Sequence, residues 1–226
     1  MENTHKSSLK SVGRKSNIND TFIIEEKQMI ETKRLYIRLF REEDAEALYK
    51  IKTDPQVMEY CPDLLDVKVE REDIPRYIRE FQALEDDGNI DEWRCYAIEN
   101  KETGEVMGAL TFSKQKMLHE YELGWMMIGA YIGKGYASEA AEAFAEYFCE
   151  GHGIDYLIVV MDVDNPASRR TAEKSGFRLF EKRTVYDYSY NRYCDDYYYF
   201  RRYWSGSTLK DRYYGDSPYY GRSTSN

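Results

Sequence analysis

The sequence predicts a single α/β domain, and two blocks in the second half of the chain carry that prediction. In the first, an apolar run at residues 121–128 leads to the glycine loop Gly133-Lys134-Gly135, which opens directly into a helix. In the second, a β-branched run at residues 158–163 precedes Asn165-Pro166 and a short helix that closes at Gly176. Strand, loop, helix, strand, short helix and strand, in this order, form an α/β crossover unit.

The elements before these blocks follow from periodicity. Residues 35–39 predict the first strand. An acidic start and apolar residues at helical spacing predict a helix over residues 42–53 that ends at Pro55, and a second helix over residues 73–84 closes near Gly88. The residues at that spacing are Ala45, Leu48, Tyr49 and Lys52 in the first helix and Ile74, Tyr77, Ile78 and Phe81 in the second.

Two hairpins complete the predicted domain. Residues 93–99 and 106–113 pair around a turn at residues 101–104, and residues 177–190 pair with 193–204 across Asn191-Arg192. The second hairpin is dense in aromatic residues, which favours structural cross-strand pairs over a ligand platform. The helix after the glycine loop is predicted to bury one apolar stripe in the core: Tyr136, Ala140, Ala143, Phe144, Tyr147 and Phe148.

The domain is predicted to span residues 29–204. Residues 1–28 are polar and predict a disordered extension that allows an added strand at residues 22–24. Residues 205–226 form a low-complexity tail of tyrosine, glycine and serine.

The glycine loop predicts an anion site. Free N–H groups and the positive end of a helix dipole meet there beside a strand end, and glycines let the main chain approach an anion closely. A nucleoside-triphosphate loop is excluded, because Gly135 stands where that motif needs a hydroxyl. Gly133 and Gly135 match only the first half of a Gly-x-Gly-x-x-Gly dinucleotide-binding motif, because no third glycine follows nearby. A plain helix start with a flexible loop is the alternative, and the downstream block argues against it.

Together, in this order and at these spacings, the motifs over residues 30–204 resemble the GNAT superfamily of acetyl-CoA-dependent N-acetyltransferases, and within it the ribosomal-protein-alanine acetyltransferase branch. The resemblance implies a mixed, mostly antiparallel twisted sheet of about seven strands, with splayed parallel strands 4 and 5, flanked by about four helices. The matching residues are Glu31-Thr-Lys-Arg34-Leu35-Tyr-Ile-Arg38, Glu42-Glu43-Asp44, Glu122-Leu-Gly124-Trp125, Gly133-Lys-Gly-Tyr-Ala137, Asn165 with Ser168, Gly176-Phe177 and Asp195-Asp196-Tyr197.

The resemblance also implies how acetyl-CoA, as co-substrate, is bound. Its pyrophosphate meets the loop and helix start, its pantetheine arm pairs with the open strand edge and with Asn165, and a backbone N–H receives the oxyanion. Asn165 is expected to cap the following helix at the same time. The cofactor-binding residues are Trp125, Met126, Met127, Gly133, Lys134, Gly135, Tyr136, Ala137, Ser138, Asn165 and Ser168.

Two positions depart from the family pattern. Ile132 replaces the usual Gln or Arg before the central glycine, which is expected to weaken phosphate binding without abolishing it. Ala172 stands where many members have a tyrosine acid, so Ser168 becomes the hydroxyl candidate for protonating the departing sulfur. A first-turn serine is, however, often merely exposed.

Catalysis requires a carboxylate that removes a proton from the amine. Glu122 matches a family position on the strand before the loop, and a half-exposed strand residue without a chemical role is an equally good interpretation. Asp187 is a second carboxylate near the same cleft, for which a solvated strand residue is the favoured interpretation.

Composition excludes several classes of protein. The net charge of −9 and the pI near 5.1 argue against non-specific nucleic-acid binding. The cysteines at 61, 95, 149 and 194 and the histidines at 5, 119 and 152 are scattered, so neither a metal site nor a disulfide framework is predicted, and Cys149 is read as a small buried residue. No apolar run reaches the length of a membrane span, and a cytoplasmic protein is expected.

The acceptor is predicted to be a primary amine, on a basic peptide or protein α-amine or on a small cationic molecule. This prediction rests on the acidic residues in and next to the segments expected to line the substrate site, residues 58–69 and the hairpin at residues 183–194. These acidic residues are Glu59, Asp63, Asp66, Asp187, Asp195 and Asp196. The alternatives are a non-catalytic acyl-CoA sensor, an antibiotic or polyamine acetyltransferase, and a structural interaction module. The sequence allows a homodimer.

Overall fold

A computed structural model describes residues 30–61, 69–114, 119–187 and 192–207, with residues 86, 87, 183–187 and 192–196 described by their main chain alone. The expected N-terminal extension, Asp63, Asp66, the turn at Asn191 and the tail beyond residue 207 lie outside the described residues. The boundaries of the domain therefore stay predictions.

The described chain forms one eight-stranded sheet in the order β1-β2-β3-β4-β5-β6-β8-β7. All neighbouring strands are antiparallel except β5 and β6, which are parallel. The predicted mixed sheet with one parallel pair is therefore confirmed. The eighth strand is the two-residue β1, and residues 22–24, where the sequence allowed an added strand, lie outside the described residues. The strands are β1 Ile30–Glu31, β2 Leu35–Leu39, β3 Arg94–Asn100, β4 Val106–Lys114, β5 Tyr121–Met127, β6 Tyr156–Asp162, β7 Arg178–Asp187 and β8 Arg192–Tyr203.

Five α-helices flank the sheet: α1 Ala45–Thr53, α2 Pro55–Met58, α3 Ile74–Asp87, α4 Tyr136–His152 and α5 Pro166–Lys174. The predicted first helix begins with a 3₁₀ turn at Glu42–Asp44. Pro55 follows the end of α1 as expected and also begins α2, because its missing N–H and fixed φ suit a first helical position. Gly88 closes α3 in a left-handed conformation, with φ 69°.

The helices cover opposite faces of the sheet. We call the face that packs on α4 the α4 face; its core includes Ile98, Leu123 and Phe144. We call the other face the α1–α3 face; Ala97, Ala109 and Met126 pack there against α1 and α3. The α4 face is closed by apolar side chains, whereas the α1–α3 face carries most of the polar groups discussed below.

The buried side of α4 differs from the predicted stripe at one residue. Tyr147 is 46% exposed, although the periodicity placed it in the core. The packed face also includes Ala141, Ala145 and Cys149, which moves its centre toward Phe148. At about 100° per residue, Tyr147 lies roughly 110° from that centre. Cys149 is fully buried, as predicted.

Along the described part of the chain, no helix combines the length and the apolarity that crossing a bilayer requires.

Candidate active site

The main opening in the sheet lies between β5 and β6. Within the described strands, these two neighbours share one register pair, Glu122 with Ile158. On their outer sides both strands remain fully paired, β5 with β4 and β6 with β8. The strands therefore separate beyond Glu122, and the carboxyl half of β5 presents a free edge to the gap, as the predicted splay requires.

The ladder between β4 and β5 shows which main-chain groups face this gap. The N–H of Ile128 donates to the carbonyl of Met107 over 3.0 Å, so this is a hydrogen-bonded pair. Along an antiparallel ladder, hydrogen-bonded pairs alternate with pairs that are not hydrogen-bonded to each other. Met126 and Gly124 therefore point their N–H and C=O groups at β4, whereas Trp125 and Met127 point theirs toward the gap. Trp125, Met126 and Met127 were all expected to contact the cofactor. The main-chain groups of Trp125 and Met127 face the opening, and those of Met126 do not.

The glycine loop lies where β5 leads into α4. A 3₁₀ turn at Gly129–Tyr131 follows β5, and Gly133 and Gly135 both have positive φ, at 81° and 79°. The first bond of α4 runs from the N–H of Glu139 to the carbonyl of Gly135 over 3.2 Å. Among the described residues, no acceptor is bonded by the N–H groups of Gly133, Lys134, Gly135, Tyr136, Ala137 and Ser138. Free donors and the positive end of α4 thus meet at this loop, an arrangement that suits an anion.

Lys134 and Ile132 are both exposed at this loop. Ile132 is 43% exposed, at the position where the family pattern has Gln or Arg. An exposed isoleucine offers no hydrogen bond to an anion, so the main chain and Lys134 are the groups available there.

Arg34 and Glu139 hold the loop against β2, an arrangement that the sequence did not reveal. Glu139 Oε2 accepts from Arg34 Nε over 2.6 Å, and Oε1 accepts from the hydroxyl of Thr32 and the N–H of Arg34 over 2.6 and 2.9 Å. Arg34 also donates to the carbonyl of Lys134 over 3.1 Å. Because C=O and N–H point oppositely in a trans peptide, this contact turns the N–H of Gly135 outward.

This cluster also sets the ionisation of Glu139. Its partial burial alone would raise the pKa of the carboxyl, but the hydrogen bonds from Thr32 and Arg34 and the charge of Arg34 lower the pKa below its ordinary value. Glu139 is therefore ionised when it holds Arg34 and the loop in place.

Glu122 faces the α1–α3 side. On β5, Leu123 and Met127 pack on the α4 face and Met126 on the opposite face. Since strand side chains alternate, Glu122 and Gly124 share the face of Met126. Glu122 is half-buried and pairs in register with Ser113 of β4. The candidate base thus stands beside the point where β5 and β6 separate.

Asn165 and Ser168 lie at the start of α5, just after β6. The side chain of Asn165 accepts the N–H of Ser168 over 2.9 Å, which is the helix cap that the sequence predicted. No hydrogen bond of the Ser168 hydroxyl is found within the described residues. The contacts of Asn165 and Ser168 with pantetheine and sulfur stay predictions.

Tyr60 connects the predicted substrate-lining segment to the end of β6. Its hydroxyl donates to the carbonyl of Asp164 over 3.1 Å, so the chain after α2 reaches across to the β6–α5 loop. Desolvation, and then the neighbouring carboxylates led by Glu59, raise the pKa of Tyr60. The side chain of Asp187 lies outside the described residues, so its reach into the cleft stays a prediction.

The periodicity placed one further polar residue of the site, Lys52, on the packed side of α1 without marking it as functional. Lys52 is 7% exposed and lies near the rings of Tyr77 and Trp93 on the α1–α3 face. The sequence did contain a signal for this residue, because Lys52 is the one charged residue on a helical stripe that is otherwise apolar.

A sheet split at one parallel pair, with a loop of free N–H groups beside the split, defines an acyl-CoA-dependent transferase of the GNAT type. The chain belongs to this family: the model of the acetyltransferase (GNAT) domain matches residues 34–178. The family prediction is thereby confirmed, and the protein is an acyltransferase.

Among its relatives, the chain is 31% identical over 172 residues to the uncharacterized N-acetyltransferase YnaD of Bacillus subtilis (strain 168), covering 75% of this chain and 94% of YnaD. The solved structure of a GNAT-family acetyltransferase from Bacillus anthracis is 27% identical, with a TM-score of 0.63, over 77% of this chain and 97% of that one. RimL, a ribosomal L7/L12 α-N-protein acetyltransferase solved with coenzyme A, shares the fold at 19% identity and a TM-score of 0.64, over 76% and 96% of the two chains.

Proposed function

We propose that this enzyme transfers an acetyl group from acetyl-CoA directly to a primary amine, the α-amine of a protein or peptide or the amine of a small cationic molecule. The observation that carries the proposal is the run of unbonded N–H groups from Gly133 to Ser138 beside the open edge of β5. A diphosphate fits the first feature, and an extended amide chain such as pantetheine fits the second. RimL, which has the same fold, was solved with coenzyme A.

The proposed chemistry assigns one task to each group around the gap. Acetyl-CoA supplies a thioester, whose carbonyl carbon the neutral amine attacks. Glu122 removes the proton of the amine, directly or through a water molecule. The N–H of Trp125 or that of Met127 stabilises the negative charge that develops on the carbonyl oxygen, and the other is left to pair with the pantetheine arm. The C–S bond then breaks, and the hydroxyl of Ser168 passes a proton to the leaving sulfur while it takes one from a water molecule in its place.

The class of acceptor is inferred from the charge of the residues around the gap. Glu59 is exposed beside Tyr60, and Asp162 and Asp164 lie at the end of β6, so the described rim of the gap is acidic. An acidic rim attracts an ammonium group and favours a cationic acceptor. The homodimer and the cytoplasmic location stay predictions.

The test is binding of acetyl-CoA to the loop. Acetyl-CoA at a hundredfold its Kd should stabilise the protein by about 2.7 kcal/mol, which raises Tm by about 5–10 °C. In Gly133→Ala the new Cβ meets no protein atom within 4 Å, so it projects into the space proposed for the diphosphate. We expect the KM for acetyl-CoA to rise about tenfold or more, with a smaller Tm shift.

Gly153→Ala is the matched control. Gly153 also has a positive φ, at 65°, and open space around an added Cβ, but it lies at the far end of α4. Both variants bear the same left-handed strain, and only Gly133→Ala should affect the cofactor. Equal KM values for the two variants would refute the phosphate-loop assignment, and a wild-type protein without any Tm shift would refute the proposed function.

A further inference from the structure

Lys52 is a buried cation without a counter-ion among the described residues. It forms no hydrogen bond or ion pair there, and its Nζ lies 5.3 Å from the ring centroid of Trp93 and 5.6 Å from that of Tyr77. The three buried arginines differ, because each pairs with a carboxylate: Arg38 with Asp44 and Glu99, Arg94 with Glu85, and Arg202 with Glu146.

The nearby thiol of Cys95 does not supply the missing charge. Complete burial raises the pKa of Cys95 to about 12, and Lys52 offsets this only in part, so the thiol is neutral at pH 7. Burial in turn lowers the pKa of Lys52 below its ordinary value. Two aromatic rings compensate an ammonium only partly for the water it has lost. Among the described residues no carboxylate pairs with Lys52, so an anion that reached the ammonium would stabilise it.

The ammonium tip of Lys52 remains accessible. The described side-chain nitrogens and oxygens that are both fully buried and without a hydrogen bond are Arg94 Nε, Arg202 Nη1 and Tyr203 OH. Lys52 Nζ has no hydrogen bond and is absent from this group, so it retains accessible surface. Beside it the ring of Trp93 is 40% exposed. The stem of Lys52 is covered, and its charged end keeps some contact with solvent.

Trp93, which lies beside this charged end, is on the same face of the sheet as Glu122 and is aligned with it across the strands. Arg94, the first residue of β3, pairs with Phe112, which pairs with Leu123. Trp93 directly precedes β3, and if the same register is continued by one residue, Trp93 lies opposite Ser113 of β4, which pairs with Glu122 of β5. Trp93 packs on Phe81 of α3 with ring centroids 5.1 Å apart, which places it on the α1–α3 face. Two strand spacings, about 10 Å, separate it from Glu122.

We propose that Lys52 binds an anionic group of the acceptor, a carboxylate or phosphate carried within roughly 10 Å of the amine that is acetylated. This inference rests on the proposed function and narrows its acceptor to a zwitterion. The amine meets Glu122 and the acidic rim, while the anion completes the charge of Lys52. A polyamine is disfavoured, because its second ammonium group would face Lys52.

The test compares acceptors that differ only in their anion. Peptides of one to three residues and ω-amino acids are supplied with either a free carboxylate or a carboxamide, and release of the coenzyme A thiol is followed. Wild type should prefer the carboxylates. Lys52→Met should lower kcat/KM for the carboxylates about tenfold to a hundredfold, mainly through KM, and leave the carboxamides unchanged.

Lys50→Met is the matched control. Lys50 lies on the same helix with its side chain 63% exposed, 4.0 Å from Glu46, and its loss should leave the preference intact. Folding of Lys52→Met is checked by Tm, which should stay the same or rise, because the substitution removes an unpaired buried charge. With coenzyme A saturating the loop, inorganic phosphate should raise the Tm of wild type more than that of Lys52→Met, which tests the anion site without any acceptor.

The outcomes separate this inference from the proposed function. Equal losses on carboxylates and carboxamides, or a wild-type preference for polyamines, overturn the anion site while acetyl transfer stands. The same holds if phosphate stabilises wild type and Lys52→Met equally. Failure of wild type to bind acetyl-CoA overturns both proposals.

Discussion

At the scale of single residues, the chemistry depends on which face of β5 a side chain occupies. Glu122 lies where β5 and β6 separate, and it shares its face with Gly124, whose side of the strand is occupied by the hydroxyl of Thr111. A glutamate one residue further along would point into the α4 core instead. Glu122 therefore lies on the α1–α3 side of the sheet.

Glu122→Gln should lower kcat by about a hundredfold or more near neutral pH, because the proton acceptor is lost while the shape is kept. The loss should shrink as pH rises toward the pKa of the free amine, about 8 for an α-amine and about 10.4 for a lysine amine. Steady-state rates between pH 6 and 10 measure this. Glu92→Gln, an exposed carboxylate just before β3, is the control. Full activity of Glu122→Gln across the range would leave Glu122 a structural residue and make Asp187 the next carboxylate to test.

At the scale of elements, the position of the glycine loop depends on a contact between β2 and α4. Glu139 lies in the first turn of α4, accepts three hydrogen bonds from Thr32 and Arg34, and through Arg34 reaches the carbonyl of Lys134. The guanidinium of Arg34 also lies 4.5 Å from the ring of Tyr136. These contacts position the free N–H groups before any ligand arrives, which reduces the cost of ordering them on binding.

Glu139→Gln should destabilise the protein by about 1–2 kcal/mol at pH 7 and raise the KM for acetyl-CoA several-fold with little change in kcat. The carboxyl pKa is lowered in the fold, so its stabilisation is complete above the ordinary pKa and is lost as pH falls through the lowered pKa. Urea unfolding should therefore show a difference between wild type and variant that shrinks in acid. The control is Glu173→Gln, which breaks an exposed pair with Arg169 and should change stability by less than about 0.5 kcal/mol. An unchanged KM for Glu139→Gln would show that the contact serves folding alone.

At the scale of the whole molecule, a buried ion cluster joins the edge of the sheet to the helices of the α1–α3 face. Arg38 of β2 donates to Glu99 of β3 over 2.6 Å and to both oxygens of Asp44, just before α1, over 2.6 and 3.1 Å. Burial alone would lower the pKa of Arg38, but the hydrogen bonds and charges of Asp44 and Glu99 more than offset it and raise the pKa. This cluster sets the start of α1, and with it the position of Lys52.

Arg38→Met should destabilise the protein by about 3–5 kcal/mol, because it leaves the carboxylate of Asp44 buried without its cation. Chemical denaturation at pH 7 measures the loss. Arg76→Met is the control, since Arg76 forms an exposed pair with Glu80 over 2.8 Å, and its loss should change stability far less. Similar losses for the two variants would mean that the Arg38 cluster does not organise the domain.

The fold class, the order of the main elements and the family could all be predicted from the sequence. These depend on local signals: apolar periodicity in the strands and helices, the glycine loop before α4, and the Asn165-Pro166 cap before α5. Such signals involve residues that are close in the chain, so they can be recognised before the three-dimensional structure is known. The same periodicity misplaced Tyr147, because the centre of the packed face of α4 depends on what the sheet offers it.

How the site is assembled depends on contacts between residues that are far apart in the chain. Arg34 and Glu139 are 105 residues apart in the chain, and the alignment of Trp93 with Glu122 follows from the registers of β3, β4 and β5. The pattern of α1 placed Lys52 on a buried face, but whether a carboxylate meets it there depends on α3 and β3. Charges must be paired in space, and the residues that pair them come from elements with no local relation in the sequence.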